Sequence, residues 1–405
     1  MALTCPRTPP CDHQGVNQAR APRAEAVIDL GAIRHNVALL SGKAAESGAA
    51  TMAVVKGDGY GHGALPVAKA ALAGGATWLG GCSLDEALAL RRAGITARIL
   101  SWLDIDDVDF APGIEADIDI TASSRRELAR IVVAARATGR TARVHLKIDT
   151  GLCRNGCPDY EWPGLCSDAA EAATSGAIDV VAIWSHFACA DELGHPSIAA
   201  QAKRFDEAYE VAREAGLNPL RHLANSAATL TRPEYHFDLV RTGIAIYGCN
   251  PVPTDDDLVP AMTFRSAVAL VKRARAGEAV SYGQIWTAER DTTLALVPVG
   301  YADGVPRTLS GRMDVWLAGQ RRPVVGRVCM DQLVVDCGDH EPAIGAEVEL
   351  FGTGHDGAPT AREWADTIGT IDYEIVTGMY RPRVVRRYVG DGAGSEAGGS
   401  VGEQV

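Results

Sequence analysis

Between residues 51 and 246 the chain alternates short apolar runs with helix-patterned segments, a rhythm that few folds accept. The apolar runs fall at 51–55, 77–80, 97–101, 116–120, 142–148, 178–185, 220–223 and 237–246. Runs of this kind, bounded by glycine or polar residues, read as strands buried on both faces of a parallel sheet. Between them lie helix starts such as Ser83-Leu-Asp-Glu86 and Ser124-Arg-Arg-Glu127, both of capping-box form. Eight strands alternating with helices over about 200 residues is the sequence form of a (β/α)8 TIM-type barrel. A doubly wound open sheet is the rival architecture.

Near residue 260 the texture changes. Short β-rich runs at 262–275, 280–286, 293–298, 313–317, 323–328 and 347–351 are separated by Gly turns, and helical periodicity is almost absent. This predicts a second, mainly antiparallel β-domain, with the boundary in the Pro- and Asp-rich stretch 250–260. A further strand at 25–30 precedes a helix marked by Ile33, Val37 and Leu40. The expected organisation is a disordered leader at 1–24, the strand at 25–30, a barrel at 31–255, the β-domain at 256–388 and a disordered tail at 389–405. The leader lacks the apolar core of a secretory signal.

Bulk properties exclude several classes of function. A net charge of −12 argues against nucleic acid and anionic membranes as partners. The chain contains no apolar run of 18 residues, so no membrane-spanning helix is expected. Ten scattered cysteines complete no zinc pattern, which points to reduced thiols in a cytoplasmic protein and to no metal site.

The chemistry gathers at strand ends, where barrels carry their working residues. The run Met52-Ala-Val-Val ends in Lys56 and then in the loop G-D-G-Y-G-H-G, with Tyr60 and His62 inside it. A lysine at a strand end is commonly just solvated. At a partly dry mouth its amine pKa falls and its lone pair can attack a carbonyl. Lys147, Asp149, Thr150 and Arg154 follow the fifth barrel strand, and Ser185 and His186 end the sixth. His222, Asn225 and Ser226 follow the seventh, and Arg241, Thr242 and Gly243 lie in the eighth. Each has a plain alternative: His186 as a satisfied core histidine, Arg241 as an ion-pair partner of Asp238, Lys147 and Asp149 as an exposed pair. Their gathering at matching strand ends outweighs these. Ser226 and Gly243-Ile244 fall where barrels commonly bind phosphate, and a phosphate site beside a Schiff-base lysine points to pyridoxal 5'-phosphate. In the β-domain, Tyr282 sits between Ser281 and Gly283 as a presented group rather than a core one.

Assembled, these motifs closely resemble the alanine racemase family of pyridoxal phosphate enzymes, over about 25–388. The resemblance rests on V-K-G-D-G-Y-G-H-G, K-I-D-T-G-L-C-R-N-G, S-H-F-A-C-A-D, A-N-S-A-A, V-R-T-G-I-A-I-Y-G, S-Y-G, V-G-Y-A-D-G, G-R-V-C-M-D-Q and I-D-Y-E-I, in the family's order. It implies that Lys56 carries the cofactor as a Schiff base, and that Tyr60, Ser226, Gly243, Ile244 and Tyr373 hold its phosphate, with Asn225 in the same binding set. Arg154 would bond the phenolic oxygen and Arg241 would face the pyridine nitrogen, tuned by His186. Tyr282, from the other subunit of a head-to-tail homodimer, would be the second base. The Met330 backbone and Arg154 would meet the substrate carboxylate, and Tyr301 would guard the mouth. Lys147 matches a position carbamylated in many members. The strand at 25–30 would join the β-domain.

The implied activity is interconversion of L- and D-alanine, supplying D-alanine for peptidoglycan. Racemisation needs a base on each face of Cα, and Lys56 and Tyr282 would provide them. A phenol titrates near about 10, so a tyrosine base needs positive charge nearby. An arginine keeps its proton at neutral pH, which leaves the pyridine nitrogen largely unprotonated and limits side reactions. The chain departs from the family where Gly57 and Gly59 replace the alanines of K-A-D-A-Y-G-H-G, and at Leu152 and Cys153. The alternative is a racemase for serine or another amino acid in secondary metabolism. A basic amino acid decarboxylase would need a carboxylate where Arg241 stands, and a pyridoxal phosphate carrier would lack the second domain.

Overall fold

A computed structural model describes residues 22–390. The leader expected at 1–24 and the tail expected at 389–405 lie outside the described residues, apart from 22–24 and 389–390. The first strand, β1 (Glu25–Asp29), runs into a helix, Leu30–Glu46, whose start is capped by the Asp29 carboxylate accepting from Gly31 N and Ala32 N. Eight parallel strands follow: β2 (Ala50–Val54), β3 (Trp78–Gly80), β4 (Arg98–Ser101), β5 (Asp119–Ala122), β6 (Ala142–Lys147), β7 (Ile178–Trp184), β8 (Leu220–His222) and β9 (Leu239–Thr242). Strands β3 to β8 each pair with the strand before them, and β2 pairs on its other side with β9. Backbone bonds from Asp238 N to Arg221 O (3.1 Å) and Arg241 N to Ala224 O (2.9 Å) join β9 to β8 and bring the sheet round on itself. The result is the expected barrel rather than an open sheet.

The fourth expected barrel strand, 116–120, is displaced. Residues 111–115 form a short helix, Ala116 caps it, and Asp117 turns the chain with φ +54°, so β5 begins only at Asp119. The eighth expected run stops at Thr242, after which Ile244–Tyr247 coil into a 3-10 turn. Both capping boxes are half formed. Ser83 and Ser124 accept from Glu86 N and Glu127 N, but the two carboxylates reach further back. Glu127 accepts from Ser123 N, and Glu86 accepts from Cys82 N (2.7 Å) and Gly57 N (2.8 Å).

A nine-stranded sheet makes the second unit. Its order is Leu270–Ala274, Thr292–Val297, Leu333–Gly338, Gln320–Val325, Asp314–Leu317, Glu347–Phe351, Met262–Ala267, β1 and Val385–Val389. All pairs are antiparallel except the last. The chain's first strand is thus held between 262–267 and 385–389, and the buried Glu25 carboxylate bonds Arg265 (2.6 Å) and Arg387 (3.0 Å) across it. The run expected at 262–275 is two strands, because Val268 N turns to Ala346 O while Ala269 N turns to Leu296 O, exchanging one neighbour for another. The expected 280–286 run is a small hairpin, Ala279–Val280 with Trp286–Thr287, whose loop presents Tyr282. Two helices, Ala361–Ile368 and Asp372–Gly378, were not anticipated. The second packs on the loop after β2, so close that a Cβ on Gly61 would come within 2.8 Å of Val376 O.

That loop is a turn of left-handed helix. Gly57, Asp58, Gly59, Tyr60 and Gly61 have φ of +61°, +50°, +62°, +52° and +83°. A residue with a Cβ is strained there by about 1–2 kcal/mol, so glycine at 57 and 59 relieves a strain that Asp58 and Tyr60 carry. A Cβ at Gly57 would meet nothing within 4 Å. Gly57→Ala should therefore lower the stability of the cofactor-free chain by about 1 kcal/mol through the backbone alone. Urea unfolding would read this as a lower midpoint at unchanged m-value, and an unchanged midpoint would refute it.

Candidate active site

The C-terminal ends of the barrel strands open on a cavity of about 580 Å³. Lys56 and Tyr60 enter it from the left-handed turn after β2, and Lys147 and Arg154 from β6 and its following loop. His186 follows β7, Asn225 and Ser226 follow β8, and Arg241, Gly243 and Ile244 come from β9 and beyond. Tyr373 reaches in from the second unit. Among the described residues the cavity wall holds four basic side chains, Lys56, Lys147, Arg154 and Arg241, and no carboxylate.

Charge and burial set the protonation of this wall. Desolvation lowers the Lys56 amine from its ordinary value, Arg154 and Arg241 press it down further, and Cys82 and Glu86 partly oppose them. Glu86 also fixes the loop that carries Lys56 through Gly57 N and Cys82 N. Lys147 is buried, not half of an exposed pair with Asp149. Desolvation, with Arg241, Arg154 and Lys56 nearby, brings it down to about 7. Its Nζ rests 4.1 Å from the centre of the Trp184 ring.

Arg241 is fully enclosed, and desolvation pushes it down to about 9, so it keeps its proton at neutral pH. It donates to two carbonyls, Ser185 O (2.7 Å) and Leu223 O (3.2 Å), and to two imidazoles, His186 Nδ1 and His222 Nδ1 (both 3.2 Å). A guanidinium has only donors, so both imidazoles must offer a bare Nδ1. Burial first, and then Arg241, hold both well below the ordinary histidine range, in agreement. Asp238, the alternative partner for Arg241, instead accepts from Arg221 N (2.7 Å).

At the other end of the cavity, burial raises the Tyr60 and Tyr373 phenols, so both remain hydrogen-bond donors. Their rings lie 6.3 Å apart. Ser226 Oγ accepts from Gly243 N (2.8 Å) and Ala245 N (3.3 Å), folding the chain after β9 against the helix Ser226–Thr231. Gly243 is required by close approach, since a Cβ there would stand 2.6 Å from the Tyr60 hydroxyl.

His62, Asp149, Thr150, Ser185, His222 and Thr242 lie outside this lining, and so do three of the residues to which the resemblance gives a role. Tyr282, Tyr301 and Met330 form a separate, exposed group around Cys329. Tyr301 N bonds Cys329 O and Ala302 N bonds Met330 O (both 3.0 Å), while Ser281 bonds Arg327 O (2.8 Å) and Cys329 Sγ (3.3 Å). Tyr282 is 73% exposed. Conversely, Cys82, Trp102, Trp184 and Ile371 line the cavity without having been singled out. Cys82 and Trp102 stand just past the ends of β3 and β4, where the strand-end rule applied to those two strands would have found them.

Comparison with known proteins agrees across the whole fold. Residues 28–251 match the family described as "Alanine racemase, N-terminal domain", and residues 261–388 match "Alanine racemase, C-terminal domain". The chain is 55% identical over 372 residues to the alanine racemase of Salinispora arenicola, covering 91% of this chain and 99% of that one. It is 53% identical to that of Frankia casuarinae, covering 91% and 96%. Among solved structures, the alanine racemase of a D-cycloserine-producing Streptomyces lavendulae is 49% identical with a TM-score of 0.88, covering 91% of this chain and 97% of that one. The enzyme of Streptomyces coelicolor A3(2) is 51% identical with a TM-score of 0.88, covering 91% and 98%.

The lowered Lys147 pKa carries a stability consequence. Its folded value of about 7 lies below the ordinary 10.5, so the folded chain binds fewer protons between these pH values. The cost of burying the charged amine is full below pH 7, shrinks as pH rises, and is gone above 10.5. In carbon dioxide-free buffer, Lys147→Met should raise the Tm of the cofactor-free chain at pH 6, with the gain closing as pH approaches 10.5. A pH-independent difference in Tm would contradict this.

Proposed function

The chain belongs to the alanine racemase family, whose members are isomerases, and we propose that it interconverts L- and D-alanine with pyridoxal 5'-phosphate as cofactor. It would do so in the cytoplasm, as a homodimer, supplying D-alanine for peptidoglycan. The observation that carries this reading is a barrel-mouth cavity with four cations, no carboxylate, and one of those cations, Lys56, softened by burial at a strand end.

The residues present fit that cofactor. A phosphate suits the end where two protonated phenols meet Ser226 and the Gly243–Ile244 backbone, with Asn225 beside them. An aldehyde suits the lowered amine of Lys56. Arg241, a donor at every nitrogen, would face the pyridine nitrogen and keep it unprotonated, and His186 holds the guanidinium in place. Arg154 would bond the phenolic oxygen and help the Met330 backbone seat the substrate carboxylate. When bound, the cofactor supplies an electron sink for the pair left on Cα as the proton departs.

The work of this chain is then proton transfer. The Lys56 amine, lowered from its ordinary value by burial, takes or returns the proton on one face of Cα. Tyr282 of the partner subunit does the same on the other face. What supports this division is that Tyr282, Tyr301 and Met330 are exposed together outside the cavity of their own chain. Such a group is available to complete a second copy, with Tyr301 at its mouth. Lys147, brought to about 7, presents the neutral amine that carbon dioxide requires. The carbamate would place a negative charge beside Arg154 and relieve the all-positive wall.

Incubation with L-alanine in D₂O should incorporate deuterium at Cα and yield D-alanine, read by mass spectrometry and chiral chromatography. The rate should exceed those for L-serine, L-lysine and L-ornithine by about tenfold or more. A faster rate on one of those three would overturn alanine as the substrate, and no exchange on any would overturn the activity.

A further inference from the structure

A line of hydrogen bonds continues from Arg241 through the interior of the barrel. His222, which receives Arg241 at Nδ1, places Nε2 at 2.9 Å from His145 Nδ1. His145 Nε2 in turn lies 3.0 Å from Asp119 Oδ2. Asp119, His145, His222 and Arg241 stand on β5, β6, β8 and β9 and are all buried. Trp184 of β7 stacks on His222, with centroids 5.4 Å apart and planes at 10°, and Trp78 of β3 meets His145 edge-on at 5.6 Å. Arg98 and Arg143 hold the outer side of the Asp119 carboxylate, at 2.5 Å and 2.6 Å. Barrels of this size usually fill their interior with branched apolar side chains, and a buried ionic array is a costly filler.

The two ends of the line dictate its direction. Arg241 can only donate, so His222 Nδ1 is bare and its proton is on Nε2, which donates to His145 Nδ1. His145 then carries its own proton on Nε2 and donates to the carboxylate, which can only accept. One tautomer of each ring satisfies the whole line. We propose that Asp119 and His145 are positioning residues for Arg241: they fix the tautomer of His222 and so lock the guanidinium against the cavity. The proposal rests on the reading of Arg241 as the group that faces the cofactor's pyridine nitrogen. Neither residue touches the cavity, and both act through His222.

Asp119→Asn separates this role from simple filling. The amide is nearly isosteric, yet it can offer either an oxygen or an N–H to His145. When it offers the N–H, both rings invert, and His222 turns a protonated Nδ1 toward the donors of Arg241. The test is ¹⁵N solid-state NMR of histidine-labelled holoenzyme, assigned by single-histidine substitutions, together with steady-state kinetics on alanine. Wild type should show His145 and His222 as single Nε2–H tautomers. In Asp119→Asn a second tautomer should appear at both rings, and kcat should fall about tenfold while KM changes less than about threefold. A wild-type His222 protonated on Nδ1 would overturn the proposal, and this holds even if the variant does not fold. So would an Asp119→Asn enzyme with unaltered tautomers and kcat within about twofold of wild type. Wild type that neither binds pyridoxal phosphate nor exchanges the Cα proton of alanine would refute the proposed function instead. The tautomer pattern can still be read in that event.

Discussion

Uncompensated positive charge at the mouth of the barrel is the constraint on which the rest of this structure depends. Lys56, Lys147, Arg154 and Arg241 share one cavity wall, with no carboxylate among the described residues that line it. Their burial first, and then their mutual repulsion, lower the two amines. A wall of this kind favours a ligand that brings anionic groups, and it shifts its amines toward the neutral, nucleophilic form. The acids of the neighbourhood are used elsewhere. Glu86 is spent on the backbone of Gly57 and Cys82, and Asp149 accepts from Gly151 N (2.8 Å) and Cys153 N (3.1 Å).

Arg241 is the member of this set that the fold invests in most. Two carbonyls and two imidazoles receive its protons, and Trp184 lies 4.8 Å beneath its guanidinium. A buried cation without a counter-ion is tolerable only when its hydrogen bonds are satisfied. Here the acceptors are neutral, so the charge stays undiminished at the cavity. The nearest carboxylate along the hydrogen-bonded line is Asp119, two rings away. That carboxylate is already paired with Arg98 and Arg143, so it reaches Arg241 only through the two histidines.

Much of this was legible in the sequence because parallel strands buried on both faces read as continuous apolar runs, and barrels place their polar groups at strand ends. Lys56, His186, Ser226 and Arg241 were visible on that ground alone. The fourth barrel strand was misplaced because Ala116 and Ile118 extend an apolar run across the turn at Asp117, whose positive φ no pattern of hydropathy records. In the second unit the helix Ala361–Ile368 was overlooked, although Thr360 and Glu363 form a complete capping box. The strand Leu333–Gly338 was overlooked too, despite its alternating burial. The histidine line was beyond sequence reading, since four residues from four strands meet only once the barrel is formed. Nor could spacing reveal that Tyr282, Tyr301 and Met330 gather apart from the cavity.

That separation makes the central claim open to direct attack: the cavity of one chain is completed by the exposed tyrosine of another. Lys56→Ala and Tyr282→Phe should each be nearly inactive as pure proteins, because each lacks one of the two bases at every site. Unfolded or dissociated together and reassembled, they form mixed dimers in which one site lacks both bases and the other lacks neither. Alanine racemisation should then return, approaching about half the wild-type activity per mixed dimer by this count of intact sites. Mixed dimers demonstrated by mass spectrometry yet as inactive as their parents would contradict the account.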